Sequence, residues 1–271
     1  MVRDTDWGHR KRILWINPIG TDKFDSAVRA ELDRVKRPDV HVEVRSLRSG
    51  PHHLEYHSYE AWIVPDLLTT IVEGEGEGFD AAVIGCFYDT GLRAAREIAR
   101  DIAVVAPCES AVHIGATLGD RFSVIVGRRK WIPEMRDNIC RYGFGDRLAS
   151  FKAVDMGVHD FQVDPARTRD RLAAAAREAV SVDGAEVVIL GCTIEYGFFQ
   201  PLQEHIGVPV VDATVAPFKY AELMIELGAL GWRPSRVGGY GAPSVDELEA
   251  FGLSALAPRP AAISMGGIGD V

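Results

Sequence analysis

The chain has 271 residues, of which 47% are hydrophobic and 25% are charged, and its formal net charge is −9 at pH 7. This length allows two modest lobes, each with its own core, and the acidic charge argues against a nucleic-acid partner. No apolar run reaches the roughly 18 residues of a membrane span, and the charged N-terminus lacks the apolar core of a signal peptide, so we predict a cytoplasmic protein without a membrane partner. Reduced thiols are expected, rather than disulfides or a zinc site, for Cys86, Cys108, Cys140 and Cys192.

Strand and helix patterns alternate along the first half of the chain, as in a parallel sheet covered by helices. Apolar or alternating runs predict strands at 12–16, 40–45, 81–85 and 104–106. Apolar residues at helical spacing predict helices at 25–35, 60–73, 92–100 and 109–118. The glycine- and glutamate-rich stretch 74–78 is interpreted as a flexible linker.

The second half repeats this alternation. Strands are predicted at 122–126, 151–154, 187–191 and 208–211, and helices at 131–142, 166–183, 198–205 and 214–227. We expect the last of these helices to cross back and pack on the first lobe. From residue 257 onward the composition is typical of an unpacked tail or an arm onto a neighbouring subunit, and we predict a homo-oligomer.

Two cysteines stand at equivalent places in these halves. Val-Ile-Gly precedes Cys86 and Ile-Leu-Gly precedes Cys192, 106 positions later, and a further strand residue, Val104 or Val210, follows each cysteine by 18 positions. Such matched strands predict a duplicated α/β fold of two similar lobes with parallel sheets covered by helices. The predicted boundaries are 12–112 plus 214–250 for the first lobe, 113–213 for the second, and 1–11 and 257–271 for terminal arms.

A cysteine between a strand end and a helix start is well placed for chemistry, because free backbone N–H groups and the helix dipole favour a thiolate there. For either cysteine alone, a small buried structural residue is the ordinary interpretation. The repetition favours catalytic use of Cys86 and Cys192, whereas nothing beside Cys108 or Cys140 repeats.

Four stretches give the chain its resemblance to the Asp/Glu/hydantoin racemase superfamily, most closely the hydantoin and allantoin racemase branch. They are Ile16-Asn17-Pro18, Gly85-Cys86-Phe87 with Asp89 and Gly91, Glu109 to His113, and Leu190-Gly191-Cys192. The resemblance covers roughly residues 12 to 245. It implies an active site in the cleft between the lobes, an isomerase activity on a small molecule, and no metal or organic cofactor.

Two facing thiols suit the inversion of a carbon next to a carbonyl group, since one removes a proton and the other delivers one to the opposite face. The enolate-like charge on the carbonyl oxygen needs hydrogen-bond donors. We predict these from the backbone near Phe87 and Tyr88 and near Thr193 and Ile194. The side chains of Asn17 and Thr21, after the first strand, are further candidates for binding the substrate's carbonyl or ring nitrogen.

This chain departs from the branch pattern in three loops expected to face the cleft. It has Phe-Tyr-Asp-Thr after Cys86, where Phe-Gly-Asp-Pro is common, and Thr-Ile-Glu-Tyr after Cys192, where small residues and a methionine are more usual. Gly127-Arg128 stands where threonines are usual. Arg128 suggests a substrate with an acidic substituent, although a solvated basic turn explains it equally simply. Tyr88 and Glu195 are candidates for an additional acid or base.

Three functions therefore stay open: a racemase acting on a hydantoin-type ring or a related small acid, a lyase, hydrolase or isomerase that uses the same thiols, and a two-lobed binding protein. One metal hypothesis also arises, since His53 and His57 are spaced as neighbours on a helix. No third ligand is evident in the sequence, so a solvated helix start is the preferred interpretation.

Overall fold

A computed structural model describes residues 10–258, which form two four-stranded parallel sheets of the same topology. The first sheet has the order β2-β1-β3-β4 and consists of β1 (Lys11–Asn17), β2 (Val40–Ser46), β3 (Ala81–Ile84) and β4 (Ala103–Val105). The second has the order β6-β5-β7-β8 and consists of β5 (Phe122–Val126), β6 (Leu148–Ala153), β7 (Val187–Leu190) and β8 (Val210–Val211). The prediction of a duplicated α/β fold is therefore confirmed.

The predicted helices are all present, with ends that differ by up to three residues. They are α1 (Asp25–Val35), α2 (His57–Gly76), α3 (Leu92–Ile98), α4 (Pro107–Leu118), α5 (Ile132–Arg141), α6 (Pro165–Ser181), α7 (Phe199–Ile206) and α8 (Val215–Ala229). A short helix that the sequence pattern did not predict, α9 (Val245–Ala250), follows. None of the helices in residues 10–258 is long and apolar enough to cross a membrane.

The central strands are buried on both faces. The side chains from Ile13 to Ile16 on β1 and from Val187 to Leu190 on β7 are inaccessible to solvent, as expected for parallel sheets sandwiched between helices. Helices also join the two lobes. Helix α8 packs on β3 and β4, which confirms its predicted return to the first lobe, and α4 contacts β7 of the second lobe as well as α8.

The glycine that precedes each cysteine is required by close packing at the strand end. A Cβ atom on Gly85 would lie 2.7 Å from Nε1 of Trp15, and one on Gly191 would lie 2.7 Å from the carbonyl oxygen of Ile125. Real Cβ atoms do not approach other heavy atoms so closely. The chain therefore leaves each central strand through a glycine, and the cysteine is the first side chain beyond the carboxyl edge of its sheet.

Two sequence interpretations need correction. The stretch 74–78 is not a flexible linker, because α2 runs through Gly76, Gly74 packs on Leu14, and the carboxylate of Glu75 accepts backbone N–H bonds from residues 100, 101 and 102. The predicted N-terminal arm, 1–11, includes a residue that is not part of an arm, because β1 begins at Lys11. The rest of the predicted arms lies largely outside the described residues.

Candidate active site

Cys86 and Cys192 line one cleft between the two lobes. The cleft holds about 570 Å³ of space, counted to where it opens to solvent. Its lining comes from the strand ends of both sheets, from the loop before α2 and from the start of α5: Asn17, Pro18, Ile19, His52, His53, Leu54, Glu55, Gly85, Phe87, Tyr88, Trp131, Met135, Val158, Gly191, Thr193 and Ile194, together with the cysteines. Most of these side chains are apolar, so the cleft suits a small molecule with an apolar part.

The loops that carry the cysteines are bonded to each other. The hydroxyl of Thr193 donates to the carbonyl oxygen of Gly85 at 3.1 Å, and the hydroxyl of Thr214 donates to the carbonyl oxygen of Thr193 at 2.8 Å. These four groups are buried, so the hydrogen bonds form in a dry environment where an unpaired group would be costly. The position of one cysteine is thus tied to that of the other.

Both thiols are held mainly in the protonated form. Burial raises the pKa of Cys86, the carboxyl group of Glu60 raises it further, and the backbone N–H of Tyr88 opposes them only in part. Burial and Glu195 likewise raise the pKa of Cys192 against the N–H of Ile194. The expectation that the loop favours a thiolate is therefore wrong in its net direction, because desolvation of the charged form outweighs the backbone donors.

A carboxyl group lies close to Cys86 through one hydroxyl. Thr90 Oγ1 is 3.8 Å from the sulfur of Cys86 and 2.8 Å from Oε2 of Glu60. Burial and the neighbouring carboxylate of Glu134 raise the pKa of Glu60 to about 8. The Nδ1 atom of His57 lies 3.5 Å from Oε1 of Glu60 and 3.1 Å from Oε2 of Glu134.

Within residues 10–258, a ring nitrogen of His57 and carboxylate oxygens of Glu60 and Glu134 lie within 4.8 Å of one another. Because His57 contacts both carboxylates directly, we interpret this group as an ion-pair cluster and not as a metal site. His57 therefore has two carboxylate neighbours, Glu60 and Glu134, that the sequence did not indicate. His53 takes no part, because its ring lies 5.5 Å from the ring of Tyr59 and lines the cleft instead.

Of the ten predicted site residues, three do not line the cleft: Thr21, Arg128 and Glu195. The hydroxyl of Thr21 accepts a bond from the backbone N–H of Lys23, as in an ordinary turn. The carboxyl group of Glu195 is inaccessible to solvent and accepts the N–H of Cys192 at 3.2 Å, below the cleft floor. Glu195 therefore supports the second cysteine loop rather than facing a ligand.

Arg128 is half exposed and pairs with Glu55, whose carboxylate lies 3.1 Å from its Nε atom. Glu55 lines the cleft, is almost fully buried and also accepts the backbone N–H of Val158 at 3.0 Å. The cation that suggested an acidic substrate is thus already neutralised by a carboxylate of the same protein.

Asn17 lines the cleft as predicted, and its carboxamide is held from behind. Its oxygen accepts from Nε1 of Trp15 at 2.7 Å and its nitrogen donates to Asp25 at 2.6 Å. An amide nitrogen carries two hydrogens, and this network uses one of them. The orientation of Asn17 is therefore fixed without using its full capacity to donate.

The sequence did not indicate Glu55, Glu60 or Thr90 as site residues. Glu60 falls inside a predicted amphipathic helix, and Thr90 falls in a turn, so each has an ordinary local explanation. Their proximity to the cysteines comes from the packing of α2 against the first sheet, which no local motif encodes.

The duplicated sheets and the paired cysteines of one cleft define a class of two-lobed α/β enzymes. The family model described as Asp/Glu/Hydantoin racemase matches residues 13–221. The chain is 34% identical to a hydantoin racemase of Pseudomonas sp. (strain NS671) over 89% of this chain and 97% of the relative. It is 35% identical to a hydantoin racemase of Rhizobium meliloti, over 85% and 94%.

A solved structure of allantoin racemase from Klebsiella pneumoniae has a TM-score of 0.79 and 29% identity, and the match covers 86% of this chain and 94% of that one. The protein belongs to the Asp/Glu/hydantoin racemase family, as its resemblance implied. The prediction of an isomerase of the racemase type is confirmed at this level.

Proposed function

We propose that this protein is a cofactor-independent racemase that inverts the carbon next to a carbonyl group of a hydantoin-type ring, with Cys86 and Cys192 as its two proton-transfer groups. The observation that carries this proposal is the placement of the two cysteines at equivalent strand ends that line a single cleft. The similarity to hydantoin racemases supports the choice of ring.

In the proposed reaction, the thiolate of one cysteine takes the proton from the substrate carbon, and the C–H electron pair moves toward the carbonyl oxygen. The thiol of the other cysteine then protonates the opposite face, and the electron pair returns to carbon. The proton count balances, since one thiol is formed and one is consumed. The reverse turnover uses the same groups in exchanged roles.

The charge that develops on the carbonyl oxygen requires donors that are fixed before the reaction. The backbone N–H groups of Tyr88 and Ile194 act on the sulfur atoms. We therefore assign the oxygen to the N–H groups of Phe87 and Thr193, with the spare N–H of Asn17 as a third donor. Because Asn17 is locked by Trp15 and Asp25, this donor costs little reorganisation.

We further propose that the substituent on the ring is apolar. Ile19, Leu54, Trp131, Met135 and Val158 form much of the cleft wall. An acidic substituent would have to compete with Glu55 for Arg128. The predicted homo-oligomer and cytoplasmic location stay predictions.

Racemisation in D2O tests the function. We expect an enantiopure, apolar 5-substituted hydantoin to lose optical activity and to gain one deuterium at the ring carbon, with no other change in mass. Cys86→Ser and Cys192→Ser should each slow racemisation by at least about 100-fold, the usual contribution of a general acid or base. Cys140→Ser is the matched control, because Cys140 is an exposed free thiol outside the cleft.

Deuterium incorporation without these cysteines, or a product of different connectivity, would contradict the proposal. The second result would move the assignment to a lyase or hydrolase that uses the same cleft.

A further inference from the structure

Thr90 and Glu60 lead away from Cys86 to a second recess, which lies between α2 of the first lobe and α5 of the second. This recess is separate from the substrate cleft, and Tyr88 contributes to the walls of both. Glu60, Thr90 and Glu134 line the recess, whereas Cys86 does not. The two hydrogen-bond contacts of Thr90 therefore connect the catalytic sulfur to a surface that a bound substrate does not cover.

The exposure of the side chains increases along this route. The side chain of Glu60 is 10% exposed, that of Glu134 is 25% exposed and that of His57 is 70% exposed. Nδ1 of His57 lies within ion-pair distance of the carboxylates of both Glu60 and Glu134. The charged or titratable groups that line the recess around Glu60 are His57, Asp89, Glu134, Asp137 and Arg141, with the phenol of Tyr88 between the recess and the cleft.

The hydroxyl of Thr90 has one hydrogen and can accept others, which allows two arrangements of protons. In the first, Thr90 donates to an ionised Glu60 and accepts from the thiol of Cys86. In the second, a protonated Glu60 donates to Thr90, and Thr90 donates to the thiolate of Cys86. The two arrangements differ only by the shift of one hydrogen across each contact, and the distances of 2.8 and 3.8 Å serve both.

We propose that Glu60 is the base that takes the proton of Cys86 through the hydroxyl of Thr90, and that this relay exchanges the proton with solvent through the outer recess. The S–H bond of Cys86 breaks as an O–H bond forms on Thr90, and the original O–H hydrogen of Thr90 passes to Glu60. Cys86 becomes a thiolate and Glu60 a neutral acid, so charge and protons balance. This inference rests on the proposed function of Cys86.

The relay explains how a buried thiol of this site can become a thiolate. Buried thiols with no cationic partner do not ionise readily, yet the reaction needs one thiolate. Glu60, with its pKa raised to about 8, is a stronger base than an ordinary carboxylate and remains close to solvent. After a turnover that leaves Cys86 protonated, the relay removes its proton through the outer recess, and Cys192 regains a proton from solvent when the product leaves the cleft.

The second cysteine lacks this arrangement among the described residues. The neighbouring carboxyl group, Glu195, is completely buried and accepts the backbone N–H of Cys192. The relay therefore makes the two thiols of this chain unequal.

Site-resolved alkylation of the free protein tests the relay without any substrate. Iodoacetamide labelling is followed by mass spectrometry at each cysteine from about pH 6 to pH 10, with the exposed Cys140 as the internal reference. For the wild type, we expect the labelling rate of Cys86 to rise with the ionisation of Glu60 and then to level off. Thr90→Val should slow Cys86 by about tenfold at pH 9, as expected for loss of a hydrogen bond to a charged group. Thr90→Ser should keep the wild-type profile.

Glu60→Gln separates a relay from a simple charge effect. Removal of a nearby negative charge would by itself speed the labelling of Cys86, since it favours the thiolate. The relay predicts the opposite, a slower Cys86 without the levelling near pH 8, while Cys192 and Cys140 keep their rates. Faster labelling in Glu60→Gln, or identical Cys86 profiles in the wild type, Thr90→Val and Glu60→Gln, would overturn the relay.

The same variants distinguish this inference from the proposed function. If the alkylation profiles change as expected but no hydantoin is racemised, the relay stands and the substrate assignment fails. If Thr90→Val does not fold, as shown by rapid labelling of the fully buried Cys108, the comparison of Glu60→Gln with Thr90→Ser decides the matter.

Discussion

The hydroxyl of Thr193 donates a 3.1 Å hydrogen bond to the carbonyl oxygen of Gly85, so that the residue after one cysteine of the cleft is bonded to the residue before the other. The two positions are 108 residues apart in the chain and belong to different lobes. This bond fixes the relative placement of the two thiols at the floor of the cleft. It therefore links the packing between the lobes to the geometry that a two-thiol reaction requires.

Removal of the Thr193 hydroxyl should destabilise the contact between the two cysteine loops. Thr193→Val keeps the shape of the side chain but leaves the buried carbonyl of Gly85 without its donor, which costs about 1–3 kcal/mol of unfolding free energy. We also expect a lower kcat for racemisation, because the two thiols lose their common support. Urea unfolding and steady-state kinetics measure the two effects. Thr193→Ser retains the hydroxyl and should recover most of both.

Gly85→Ala should destabilise the protein by about 1–3 kcal/mol, since the new methyl group would overlap the indole of Trp15 and force a shift at the strand end. Gly228→Ala is the matched control. Gly228 lies in α8, and a Cβ atom there would meet no described atom within 4 Å. Its replacement should raise the unfolding free energy by up to about 1 kcal/mol through helix propensity. Equal effects of the two substitutions on thermal unfolding would contradict the packing argument.

The pair of Arg128 and Glu55 should set the preference between apolar and acidic ring substituents. In the wild type we expect the apolar substrate to have the higher kcat/KM. Glu55→Gln frees the guanidinium of Arg128 and removes a negative charge from the cleft wall, so kcat/KM for an acidic substrate should rise about tenfold relative to the apolar one.

Arg128→Ala should leave kcat/KM for the apolar substrate nearly unchanged and lower the unfolding free energy by about 1–3 kcal/mol, because the almost fully buried carboxylate of Glu55 loses its charged partner. A wild-type preference for the acidic substrate that disappears in Arg128→Ala would instead support the acidic substituent suggested by the sequence.

Glu60 should make stability depend on pH. Its pKa is about 8 in the folded protein, against 4.5 as the ordinary value. The folded state therefore keeps a proton that the unfolded state loses, and the unfolding free energy contributed by this group declines as pH rises from about 4.5 to about 8, by a few kcal/mol in total. Glu60→Gln stays neutral and should show a flatter profile.

Urea midpoints of the wild type and Glu60→Gln at pH 5 and pH 8.5 measure this difference. Asp89, whose pKa burial raises to about 7, contributes to both proteins and cancels in the comparison. A difference between the two proteins that is the same at both pH values would show that Glu60 does not titrate in this window.

Local sequence was sufficient for most of the architecture. The buried runs around Ile13 and Val187 predicted central strands, and the repeated Gly-Cys element predicted two equivalent sheet edges. Both signals are short-range: an apolar run indicates burial on two faces, and a cysteine between a strand and a helix start indicates the carboxyl edge of a sheet. The shared cleft of Cys86 and Cys192 followed from the resemblance and from the rule that parallel strands end at one edge.

The protonation of the site was decided by the tertiary structure alone. A loop with free N–H groups predicted a thiolate at Cys86, but packing of α2 placed Glu60 beside it and removed water, which reversed the direction. Likewise, the sequence suggested that Arg128 was available to bind an acidic substrate, whereas in the fold it forms an ion pair with Glu55. Secondary structure and strand order depend on patterns that neighbouring residues carry, whereas the pKa of a thiol and the availability of a charge depend on groups that only folding brings within a few ångströms.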